Sequence, residues 1–99
     1  MFPEISEEIQ EIIFQKFREG YGKHGLRFNE IEKNISENSE EKNNPFDLTR
    51  GFVQWYQDKG WIKSRGNVEK GGYFPEEIFD ITQWGYEESR KQNSGFSQD

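Results

Sequence analysis

The chain contains no cysteine, which excludes disulfides, thiolate metal sites and a cysteine nucleophile together. It contains no alanine and one histidine, His24. That histidine sits in a glycine-rich stretch with no partner singled out for a triad, so the expectation is that the protein is not an enzyme. No Walker loop, calcium loop or H-E-x-x-H occurs, and neither a cofactor nor a metal is expected. No run reaches the ~18 apolar residues of a membrane span, and the acidic N-terminus lacks the basic region of a secretory signal. The expected location is the cytoplasm, without a membrane partner.

What is present is aromatic and charged. Leu, Ile, Val and Phe number 22 of 99 residues, just above the roughly 20% level below which charged chains stay disordered. Sixteen aromatic residues must therefore supply much of the buried area, in one small core. The length allows one domain, read as residues 1–92 with a disordered tail over 93–99. The net charge of −6 is unevenly spread: residues 1–49 carry −5, residues 50–73 carry +3 and residues 74–99 carry −4. A basic strip between acidic flanks suits either a nucleic-acid face or an ordinary mixed surface.

Helical spacing of Ile5, Ile9, Ile12, Ile13 and Phe17 predicts a first helix opened by Pro3, with Glu4, Glu7, Glu8 and Glu11 on its solvated side. Phe14 falls roughly opposite Ile5 on that wheel, which predicts a ring exposed to a partner unless another part of the chain covers it. Gly20-Tyr-Gly22-Lys-His-Gly25 ends the helix and also spells G-x-G-x-x-G. It follows a helix rather than a strand, which argues against dinucleotide binding. Leu26 to Phe28 alternates like a short strand, and Asn29 with Glu32 resembles a capping box for a second helix holding Ile31 and Ile35 inward. Residues 37–44 have no apolar member and read as a solvated loop.

Asp47 is a suitable cap for a third helix with Leu48, Phe52, Trp55 and Tyr56 inward and Gly60 as its stop. At about 100° per residue, Arg50, Gln54 and Gln57 point away from Leu48. Trp61 to Arg65 and Ile78 to Ile81 read as the arms of a hairpin, with turns at Gly66-Asn67 and Gly71-Gly72. Thr82 caps a short last helix, in which two aromatics as close as Trp84 and Tyr86 need not both be buried, leaving one available to an interface.

The segments Phe52-Val-Gln-Trp-Tyr-Gln-Asp-Lys-Gly-Trp-Ile62 and Ile81-Thr-Gln-Trp-Gly85-Tyr-Glu-Glu-Ser-Arg90 resemble the helix–wing–helix pattern of PadR-like and MarR-like regulators. The resemblance implies an α+β winged helix-turn-helix fold: three helices, a β-hairpin wing and a short C-terminal helix. It further implies a transcriptional regulator that binds double-stranded DNA, with the helix at 47–59 in the major groove and the basic wing at 63–73 on the backbone. Carried over by position, Thr49, Arg50, Gln54 and Gln57 contact bases, while Lys63, Arg65 and Lys70 neutralise phosphates. The competing expectation is an acidic winged-helix module that docks a protein partner or a second copy of itself through Phe14 or Trp84 and binds no nucleic acid.

Overall fold

The computed structural model describes residues 2–38, 44–65 and 76–98, with side chains as far as Lys91. Ser6, rather than Pro3, begins the first helix: its hydroxyl accepts a hydrogen bond from the Ile9 amide at 3.4 Å, and α1 runs Glu7–Glu19. Residues 2–5 form a strap before it. The strap is held by Gln10, whose amide donates to the carbonyls of Phe2 (2.9 Å) and Ile5 (2.6 Å) and whose Oε1 accepts from the Phe2 amide (3.1 Å) and the Tyr56 hydroxyl (2.6 Å). All four groups are thus satisfied away from water, which is what makes a buried glutamine tolerable.

The inward face of α1 is Ile9, Gln10, Ile13, Phe14 and Phe17, while Ile12 is exposed. Both the expected inward Ile12 and the expected outward Phe14 are therefore corrected. Ile5 lies in the strap before α1, so the helical period counted from it does not define the face that α1 buries. Glu7 and Glu8 stay solvated in the first turn, where they complement the helix dipole. Glu11 pairs with Arg18.

After α1 the chain turns through Gly22, whose positive φ of 76° is available to glycine without a Cβ clash. It then enters β1, Leu26–Arg27. The second helix, α2 (Phe28–Asn38), starts earlier than the capping box implied. The Phe28 amide donates to the Glu77 carbonyl at 2.8 Å, so the residue before β3 satisfies the first donor of α2, and Asn29 lies inside the helix rather than at its cap. Helix α3 spans Pro45–Asp58 and is capped by Asn44, whose side-chain oxygen accepts from the Phe46 amide at 2.8 Å, with Pro45 at a position that has no donor to lose. Asp47 sits in the first turn instead of capping it. Gly60, at φ 78°, ends α3 as expected, and the Trp61 amide returns to the Tyr56 carbonyl at 2.9 Å.

Strands β2 (Ile62–Ser64) and β3 (Ile78–Ile81) are antiparallel, and β1 adds to the far side of β3, giving the order β1-β3-β2. The turn signals at 66–67 and 71–72 lie outside the described residues. Leu26, Ile62, Phe79 and Ile81 face the core, and Arg27, Lys63 and Asp80 occupy the other face. Thr82 caps α4 (Gln83–Gln98), its hydroxyl accepting from the Gly85 amide at 3.0 Å and donating to the Gly60 carbonyl at 2.6 Å. The side chains of 93–99, expected to be a disordered tail, lie outside the described residues.

Among the described residues, four helices and a three-stranded antiparallel sheet make an α+β fold in the winged-helix-like order α1-β1-α2-α3-β2-β3-α4. No helix among them is long and apolar enough to cross a membrane. The centre is aromatic, as composition required. Phe14 lies 4.7 Å from Tyr56, 5.5 Å from Trp61 and 5.9 Å from Phe52, centroid to centroid. Trp55, expected to be inward, is only half-buried and carries Lys59 4.9 Å above its ring.

Burial pushes the Tyr56 phenol up to about 12, opposed in part by its interaction with the Phe2 backbone. Its neutral form is therefore favoured by folding. The stability this contributes is whole below the ordinary tyrosine value of about 10 and is lost as pH rises from there toward 12. Denaturation curves are expected to show falling stability between pH 10 and about 12, and Tyr56→Phe should flatten that portion of the profile. An unchanged slope in the variant would contradict the assignment.

Candidate nucleic-acid interface

Helix α3 buries Leu48, Thr49, Phe52, Val53 and Tyr56, packs Trp55 partly against the core and turns Asp47, Arg50, Gln54 and Asp58 to solvent. Arg50 and Gln54 are exposed and Gln57 is half-buried. Their outward direction follows from the helical period once Leu48 and Phe52 are fixed inward. Gln54 donates to Asp58 Oδ1 at 2.9 Å, so its amide must exchange that partner before it can bond anything else. Asp47 and Asp58 are exposed on the same helix, which offsets the charge of Arg50.

Thr49 departs from its expected role. It has no exposed surface, and its hydroxyl donates to the Pro45 carbonyl at 2.7 Å. It shares the buried face of α3 with Leu48, so its side chain is not presented to a base.

On the sheet, Lys63 is exposed and directly opposite Asp80 in the strand register. Asp80 is nevertheless engaged by Arg65, which donates from Nε to Oδ2 at 2.7 Å and from Nη2 to Oδ1 at 3.0 Å. The Asp80 carboxylate raises the Arg65 pKa further above its ordinary value and cancels much of the charge it would offer a phosphate. Lys70 lies outside the described residues. Lys63 and Arg65 line a cleft with Lys23 of the α1–β1 turn, and Arg50 and Gln54 do not line it. Lys23 and Tyr21 were missed because nothing local in the sequence shows that the α1–β1 turn lies beside β2.

Phe14 and Trp84, the two expected partner contacts, separate. Phe14 is 3% exposed and belongs to the core, covered by Phe52 and Tyr56 of α3 and by Trp61 between α3 and β2. Trp84 is 54% exposed at the start of α4. Among the described residues, no group of three or more acidic or histidine side chains is placed to hold a metal ion. The chain matches no protein-family model and no curated protein sequence.

Proposed function

We propose that this chain is a cytoplasmic DNA-binding protein, a winged-helix transcriptional regulator resembling the PadR-like and MarR-like type, that contacts duplex DNA with the outward face of α3. The observation that carries the reading is the exposure of Arg50 and Gln54 on the third helix of a winged-helix-like arrangement whose other face is fixed in the core. Such a helix presents side chains at a rigid, defined angle, which base recognition in the major groove needs. Arg50 supplies two donors for a guanine edge, and the Gln54 amide suits adenine after leaving Asp58. Lys63 supplies charge for a phosphate without reading sequence. The overall charge of −6 makes binding depend on this local placement, and binding weakens as salt is raised.

Arg50→Ala is expected to weaken duplex binding about tenfold, the loss of one good base contact, with an unchanged melting temperature because the side chain is exposed. Fluorescence anisotropy with a labelled duplex measures the first and thermal unfolding the second. Equal affinity in the variant would remove Arg50 from the interface. The second reading, a protein-interaction module, is favoured by one observation, the exposed Trp84 ring.

A further inference from the structure

We propose that the cleft between the α1–β1 turn and the outer face of the sheet binds a small phosphorylated compound with a planar ring, of the nucleoside-monophosphate class. The cleft measures about 420 Å³, within the roughly 300–1,000 Å³ of small-molecule sites. Lys23 enters from the turn, Lys63 from β2, Arg65 from just beyond β2 and Asp80 from β3. Three cations and one carboxylate leave it doubly positive in a chain whose net charge is −6.

The pairing within the cleft keeps that charge available. Both Asp80 oxygens are taken by Arg65, which fixes the guanidinium and leaves Nη1 outside the pair. Lys63 and Lys23 take part in no ion pair among the described residues. A phosphate monoester carries close to two negative charges near neutral pH, matching the excess. Tyr21 sets the other half of the ligand. Its ring is stacked on Tyr86 with centroids 4.5 Å apart and planes 21° apart, yet it remains 39% exposed beside the cleft. A ring already held flat loses little freedom when a second planar ring covers it. Arg50 and Gln54 line no part of this cleft, so the α3 base contacts and the cleft fail separately, although Lys63 is common to both.

The test is a titration of isotope-labelled full-length chain with adenosine monophosphate, read at backbone amides, with adenosine and inorganic phosphate as the separated halves at matched ionic strength. Saturable shifts are expected at Gly22, Lys23, Lys63, Asp80 and Thr82 but not at Arg50 or Gln54. Each half should bind at least about tenfold more weakly than the whole, and Lys63→Ala should weaken the monophosphate about tenfold while leaving the melting temperature unchanged. The absence of saturable shifts, equal affinity in Lys63→Ala, or equal binding of inorganic phosphate would each overturn the proposal. So would duplex DNA moving the cleft amides while the monophosphate does not, which would assign these cations to a nucleic-acid backbone.

Discussion

Phe14→Ala is expected to destabilise the domain by about 3 to 5 kcal/mol, the usual cost of deleting a buried aromatic side chain. The ring meets Phe17 of α1, Phe52 and Tyr56 of α3, and Trp61 of the turn before β2. Its ring neighbours are themselves bulky and held by their own packing, so the space would stay largely empty. Domains of this size hold roughly 5 to 15 kcal/mol, so the variant should lose most of its resistance to urea. Circular dichroism during urea denaturation measures this directly. A partner-facing Phe14 would behave in the opposite way, keeping the denaturation midpoint while changing association. An unchanged midpoint would therefore contradict the buried placement.

Gly85→Ala is the second large effect, and here two tendencies oppose each other. Alanine is the better helix former by about 1 kcal/mol, which alone would stabilise α4. A Cβ at this position, however, would overlap the backbone carbonyl of Trp61, where α4 crosses the chain entering β2. Backbone cannot step aside as a flexible side chain can, and the Trp61 carbonyl is also tied to the Thr82 amide at 2.8 Å. The clash should win, with a net loss of about 2 kcal/mol or more and a fall in melting temperature of roughly 10 °C. A melting temperature equal to or above that of the parent chain would show that α4 does not approach Trp61 this closely.

Gly85 also marks what the sequence could and could not convey. The order of elements was legible because each carried its own local signal: the period of α3 around Leu48 and Phe52, the stop at Gly60, the alternation of β3 and the Thr82 cap. Starts of helices were less so. Ser6 and Asn44 cap α1 and α3 by local bonds where Pro3 and Asp47 offered equally plausible local starts, whereas the start of α2 at Phe28 rests on a long-range acceptor, the Glu77 carbonyl. Phe14 was misplaced for a related reason, since its exposure depended on what α3 and Trp61 brought to it. Within the candidate interface, Arg50 and Gln54 were readable from helical period alone. The burial of Thr49, the capture of Arg65 by Asp80 and the meeting of Lys23 with Lys63 depend on long-range pairing that no short pattern encodes.

The most direct test of duplex contact by α3 is a titration of isotope-labelled protein with mixed-sequence duplex DNA at low and moderate salt, followed amide by amide. The winged-helix reading predicts shifts concentrated on the exposed side of α3, around Arg50, Gln54 and Gln57, that diminish as salt is raised. No shift in α3 at low salt, in a chain that remains folded, would contradict it.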